Sequence, residues 1–226
     1  EHFFKTVCAL AIPVALQSML QSSFSMVDQI MIGQLGEINV AGVGLAGKFA
    51  SIYSVVISAI GAVAGIMIAQ YLGQKNRSEV RRSFFTNLLL GAGIAGMFMV
   101  ICTLFPNQIM GAYTKDVQTR QAAAEYLMLI SGTFVPMAGA TLLSTLFRCL
   151  EKPRLPLYAS ILSALLNTGL NYILIFGKLG ISPMGVRGAA FATVISQCAN
   201  FLLMLLMLSQ NGFLLKSNEG EPTATL

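Results

Sequence analysis

Six stretches of this chain are long and apolar enough to cross a bilayer, and that leaves little choice of fold. A helix needs about 20 residues to span the hydrocarbon core. Thr6–Ile32, Val40–Leu72, Arg82–Phe105, Gln118–Leu150, Leu155–Phe176 and Gly185–Leu208 all reach that length. Charged residues make up only 10% of the chain and the mean hydropathy is +0.73, whereas soluble domains carry about 25% charge. Lipid offers backbone groups no partners, so each span must be helical. The expected fold class is all-α integral membrane, a six-transmembrane-helix bundle over residues 1–210, with a polar cytoplasmic linker or tail over 211–226. The second and fourth stretches exceed a perpendicular span and must tilt, protrude or bend, with Gly61, Gly65 and Pro136 as the expected give points. The chain begins with Glu1 rather than Met, so a natural N-terminus is expected upstream.

Composition narrows the function. The net charge of +5 is read as a topology signal, and no nucleic-acid partner is expected. With six spans both termini share a side. That side receives nine basic residues (Lys5, Lys75, Arg77, Arg81, Arg82, Arg148, Lys152, Arg154 and Lys216). The opposite side receives five (Lys48, Lys115, Arg120, Lys178 and Arg187). Basic excess marks the cytoplasmic face, so both termini are expected in the cytoplasm of a multi-pass protein of the plasma (inner) membrane. No HExxH, GxSxG or GxxxxGK[ST] motif is present, and no enzyme activity or cofactor is expected. Cys8, Cys102, Cys149 and Cys198 form no CxxC pair and read as small apolar residues; with His2 the lone histidine, no metal site is expected beyond one for Na+.

Within these apolar stretches the residue that stands out is Asp28, the one acidic side chain read as lying well inside a span. A carboxylate at a helix centre in lipid costs about 2.5–3.5 kcal/mol or more, a cost seldom carried for packing alone. Gln17, Gln21, Ser25 and Asp28 share one helical face of the first span. Ser163, Asn167 and Asn171 do so in the fifth, and Thr193, Gln197 and Asn200 in the sixth. Any one stripe reads as interhelical glue. Three stripes and a carboxylate together point to a cavity between helices that holds an exchangeable ion or proton. Lys48, at a similar depth in the second span, is a candidate cavity-lining partner of Asp28, or else it snorkels outward alone. Pro13 removes one backbone bond early in the first span and permits a bend there. Gly61-Ala-Val-Ala-Gly65 reads as a packing motif, and Glu151-Lys-Pro-Arg154 as a tight turn or a gate.

The segment IPVALQSMLQSSFSMVDQIMIGQLG resembles the opening helix of the multidrug and toxic compound extrusion (MATE) transporters, with Pro13 at the bend and Asp28 at the acidic ion-site position. AQYLGQKNRSEVRR, LFRCLEKPRLPL, LLNTGLNYILIFGKLG and GVRGAAFATVISQ are similar to later junctions and helices of the N-terminal lobe, so the match runs over about residues 6–210. The resemblance implies a cation or proton network of Asp28, Asn167, Asn171 and Thr193. One branch of the family has a second Asp at the position of Asn171. Asn171 followed by Tyr172 looks like the branch of bacterial Na+-coupled members, and it leaves one carboxylate where a two-acid proton relay needs two. The family has twelve helices in two lobes, with substrate passing between them. The resemblance therefore implies one lobe of a Na+- or H+-coupled antiporter that exports small amphipathic, often cationic organic compounds by alternating access. It would act in the lipid bilayer with a C-terminal six-helix lobe from the same chain or a second subunit. Two alternatives are a related lipid-linked oligosaccharide flippase, which more cationic cavity residues than Lys48 would favour, and a truncated membrane fragment that transports nothing.

Overall fold

A computed structural model describes residues 2–178, 180 and 182–210, with side chains described from residue 11 onward. The tail expected over 211–226, the Lys216 assigned to it, and the side chains of His2, Lys5 and Cys8 lie outside the described residues. Eight α-helices follow one another: α1 (His2–Gly33), α2 (Glu37–Gly73), α3 (Arg77–Leu104), the short α4 (Pro106–Gly111), α5 (Val117–Ile130), α6 (Phe134–Cys149), α7 (Arg154–Phe176) and α8 (Val186–Gln210). No strand occurs among the described residues. Among the described residues five segments are long and apolar enough to cross a membrane: α2, α3, the run Val117–Cys149 that joins α5 to α6, α7 and α8. The first expected span, α1, is a further helix of 32 residues.

Local chemistry sets the ends of these helices. Asn76 caps α3 by accepting the Glu79 N–H at 3.2 Å, and Asp116 caps α5 by accepting the Thr119 N–H at 2.8 Å. Bonds from Thr119 hold the Asp116 carboxyl below the ordinary carboxylate range. Pro106 opens α4, a short helix between the third and fourth expected spans; its missing N–H costs nothing at a helix start. The turns α2–α3 and α6–α7 share one design. Lys75 and Glu151 adopt left-handed φ of 56° and 59°. The next amide reaches back five residues in each, Asn76 to the Tyr71 carbonyl at 3.0 Å and Lys152 to the Phe147 carbonyl at 2.8 Å. This is the geometry that satisfies the last carbonyls of a helix. Glu151–Arg154 is thus a tight turn, as one of its two readings had it.

The give points differ from expectation in one respect. α2 runs unbroken through Gly61 and Gly65, because both glycines are used for packing: a Cβ on Gly61 would meet Thr141 at 3.3 Å, and one on Gly65 would meet Thr145 at 3.0 Å. The fourth span does give way, in the 3-10 turn Ser131–Thr133 just before Pro136. A proline cannot donate to the carbonyl four residues back and crowds it, so the helix tightens there.

Packing orders the bundle. α7 lies along both α8 and α1, α2 along α5, α3 and α6, and α6 along α3 and α8. Two apolar clusters fill the interior. In the first, Tyr53 stacks on Phe134 with ring centroids 4.2 Å apart and donates its hydroxyl to the Phe134 carbonyl at 2.5 Å. The second gathers Phe84, Leu142, Leu143, Leu146 and Phe147 against Ile68 and Leu208. Large apolar side chains also cover the outside, among them Met19, Met26, Ile30, Val55, Ile66, Leu89 and Leu202. Such an exterior suits hydrocarbon, and the chain is a membrane protein.

At Gly188, α8 approaches the α7 backbone so closely that a Cβ would sit 2.7 Å from the Leu174 carbonyl atoms. Backbone cannot step aside as a side-chain tip can, so Gly188→Ala is expected to cost about 1–3 kcal/mol. Gly93, with nothing within 4 Å of its Cβ position, is the control: Gly93→Ala should be neutral or stabilising, since alanine favours the helix by about 1 kcal/mol. Thermal unfolding of the two variants in detergent checks the contrast; equal midpoints would show that the α7–α8 contact is looser than described.

Candidate functional site

The site begins with a helix pair in constant register. Gln17 on α1 bonds Ser160 on α7, and Asp28 on α1 bonds Asn171 on α7; the sequence separation is 143 in both cases. The two helices therefore run parallel without slipping over the eleven residues between the contacts, about 16 Å at 1.5 Å per residue.

At one end stands Asp28, half-buried, which accepts a hydrogen bond from the Asn171 Nδ2. Asn171 is completely buried and also donates to the Asn167 Oδ1 at 3.1 Å. Asn167 passes the chain to α8 through the Thr193 Oγ1 at 3.4 Å and the Ser196 Oγ at 3.3 Å. Ser163 ties α7 to α8 by donating to the Ser196 carbonyl at 2.7 Å. The structure thus brings together Asp28, Asn167, Asn171 and Thr193 in one hydrogen-bonded network. The Asn171 Oδ1 is buried and has no hydrogen-bond partner among the described residues. A carboxylate and the orphaned carbonyl oxygen of the amide that bonds it are oxygen ligands of the kind a hard cation or a water takes.

Asp28, Asn167, Thr193, Ser163 and Ser196 border a cavity of about 560 Å3, within the range of pockets that hold drug-sized ligands; Asn171 is not among its lining residues. Gln17, Gln21, Ser25, Asp28, Ser163, Asn167, Thr193, Gln197 and Asn200 all line it. Pro13 is buried, and α1 passes through it without interruption.

Lys48 does not line the cavity. It is exposed, and among the described residues it forms no ion pair with Asp28, whose partner is Asn171 instead. The reason is helical phase: the buried face of α2 runs through Gly42, Ala46, Tyr53, Ile57 and Gly61, and Lys48, two residues past Ala46, points the other way. Of the two readings of Lys48, outward snorkelling fits. Nor is Asp28 the only acid within a span. Glu125 lies in α5, where it pairs with Arg187 at the start of α8. That pair is substantially solvent-exposed, so it avoids the penalty that isolates Asp28.

Several lining residues escaped the sequence reading. Thr141, Ser144, Thr145 and Arg148 form a fourth polar stripe, on α6, and Ser160 and Ser196 extend the stripes of α7 and α8. The four-residue spacings of Thr141 with Thr145 and of Ser144 with Arg148 carried the signal; Arg148 was counted only as a basic residue of a turn. Tyr126 of α5 is buried with its hydroxyl against Thr193 and within electrostatic reach of Asp28. Nothing in its apolar sequence neighbourhood marked it.

Comparison with known proteins follows the same outline. The chain is 31% identical over 201 residues to the probable multidrug resistance protein NorM of Thermotoga maritima, covering 85% of this chain and 42% of that protein. It is 26% identical over 208 residues to the probable multidrug resistance protein YoeA of Bacillus subtilis, covering 91% of this chain and 44% of that one. The chain thus spans less than half the length of these relatives. Among solved structures it superposes on a MOP superfamily transporter from Pyrococcus furiosus with a TM-score of 0.83 and 20% identity, over 90% of this chain and 44% of the other. The eukaryotic MATE transporter AtDTX14 gives a TM-score of 0.80 at 20% identity, over 91% and 45%; at such identities the likeness speaks for the fold alone. The MatE family model matches residues 13–173, well over half the chain, and the protein belongs to this family of membrane transporters.

Proposed function

We propose that this chain is one lobe of a cation-coupled exporter of small amphipathic, often cationic organic compounds, with Asp28 as the residue that takes up and releases the coupling ion, Na+ or H+. The observation that carries the reading is the Asp28–Asn171–Asn167–Thr193 network at the edge of the cavity, in which the amide that bonds the carboxylate keeps its own Oδ1 unpartnered among the described residues. A carboxylate there can bind a proton. Together with neutral amide and hydroxyl oxygens it can also replace part of the water around Na+. The network spans α1, α7 and α8, so occupancy by an ion changes the attraction between helices that must move relative to one another. In alternating access an ion acts only through such a difference in affinity between the two states.

Export needs more than this lobe. A C-terminal six-helix lobe, from the same natural chain or a second subunit, would supply the other wall of the substrate path. The basic residues favour the plasma (inner) membrane with both termini cytoplasmic. The multidrug resistance named for NorM and YoeA supports the choice of substrate class. A flippase of anionic oligosaccharide carriers calls for a strongly cationic cavity; among the described residues Arg148 is the one basic side chain on this cavity's wall.

Two experiments test the reading. In the complete transporter at matched expression, Asp28→Asn should reduce gradient-driven efflux at least tenfold and remove its dependence on an imposed Na+ or pH gradient. Asn167→Ala and Thr193→Ala, each deleting one neutral ligand, should reduce it severalfold. Folding of Asp28→Asn should survive, because removing the charge also removes its desolvation cost. Wild-type efflux with intact gradient dependence in Asp28→Asn would make Asp28 a structural residue. For orientation, single cysteines in a cysteine-free background within Lys75–Arg82 and Glu151–Arg154 should react only from the cytoplasmic side, and those in 33–39 only from outside. Labelling of position 75 from outside would invert the topology.

A further inference from the structure

The end of the cavity remote from Asp28 carries a second charged group whose role the cation site leaves unexplained. Arg148, in the last turn of α6, lines the cavity and is exposed. Its one bond among the described residues is from Nη2 to the Gln17 Oε1 at 3.2 Å, and it faces no carboxylate. A guanidinium has five N–H donors in a planar fork and stays charged, so most of its donors here have no acceptor. Gln17 cannot neutralise it; its own amide is committed to Ser160 at 2.8 Å, and Ser160 in turn to the Pro156 carbonyl at 2.8 Å. Four residues before Arg148, on the same face of α6, Ser144 also lines the cavity. It is 8% exposed, and its Oγ has no partner among the described residues. A charged fork and an unpaired hydroxyl one helical turn apart, both bordering one cavity, offer donors without an acceptor.

We propose that Arg148 and Ser144 form an anion subsite that receives a carboxylate of the transported molecule, so that the cavity favours bipolar amphiphiles, cationic toward Asp28 and anionic toward Arg148. This rests on the reading of the cavity as a substrate path and adds the second recognition element. The spacing fits an elongated ligand: the Gln17 that holds Arg148 lies about 16 Å along α1 from Asp28. Carboxylates suit the fork because two parallel N–H groups meet two oxygens, and the serine hydroxyl can donate a further bond.

Binding to the purified full natural chain in nanodiscs, measured by calorimetry, separates this proposal from ion coupling because no gradient is involved. The probes are an amphiphilic amine bearing a free carboxylate and the methyl ester of the same compound. Arg148→Gln should weaken binding of the acid at least tenfold and that of the ester less than twofold. Ser144→Ala should weaken the acid severalfold, and Arg148→Lys should restore part of the loss. Asp28→Asn, by contrast, should affect acid and ester alike, so a failure there counts against the cation site and leaves the acid-to-ester ratio readable. Should Arg148→Gln not fold, Ser144→Ala and Arg148→Lys give the same ratio. Equal losses for acid and ester, no loss for either, or no binding of the acid by the wild type would overturn the proposal. So would an Arg148 effect seen only in bilayers containing phosphatidylglycerol and lost in pure phosphatidylcholine, which would make the anion a lipid headgroup.

Discussion

Hydrocarbon supplies no hydrogen bonds, and the arrangement of this bundle follows from that lack. Serines and threonines such as Ser18, Ser22 and Ser23 on the outside bond their own helix's carbonyls; amide and carboxylate side chains such as Gln17, Asp28 and Asn171 find polar partners on the inside, and their faces mark where helices meet. α1 turns Gln17 and Asp28 toward α7, and α7 turns Ser163 and Asn167 toward α8. The exchange is not complete: among the described residues the oxygens of Ser83, Ser144, Asn171 and Asn200 stay buried without partners. Inside a protein an unmet acceptor or donor of this kind costs about 1–3 kcal/mol. Ser144 and Asn200 line the cavity, where water, an ion or a substrate can meet them.

Much of this was legible in the chain. The lengths of the apolar runs gave the helices, because in lipid no other local structure satisfies the backbone. Period-four spacing put Gln17, Asp28, Asn167, Asn171 and Thr193 on inward faces, because the faces that cannot touch lipid must point in. What failed was placement that depends on rotation of one helix against another. Lys48 has the right depth to meet Asp28 and the wrong azimuth, which only the buried run Gly42–Ala46–Tyr53 reveals. Tyr126 and Arg148 were missed for a related reason: an aromatic ring and a turn-proximal arginine look the same in sequence whether they face lipid, headgroups or a cavity. Glu125 and Arg187 stand 62 residues apart and meet only because α5 packs on α8.

Glycine and proline separate the rigid parts of the bundle from the adjustable one. Gly61 and Gly65 give α2 a flush seam against the threonines of α6, and Gly188 lets α8 close on the α7 backbone. The fourth span is the exception, interrupted at Ser131–Thr133 beneath Pro136. On one side of that break lies α6 with its polar stripe on the cavity, and on the other α5, whose Tyr126 is buried in the apolar core.

The constant offset between α1 and α7 has a mechanical consequence. Two rods pinned at two points in the same register cannot slide, and neither can turn about its axis, without releasing both pins. Were the ion uptake proposed above to release Asp28, Gln17 would be the remaining side-chain pin between α1 and α7 among the described residues, and α1 above it could swing as a lever about that lower point. The fulcrum is tied to Arg148 as well as Ser160, so whatever occupies the arginine also sets how stiff the hinge is. A bound ion at one end and a bound anion at the other would thus be felt by the same rod, about three helical turns apart.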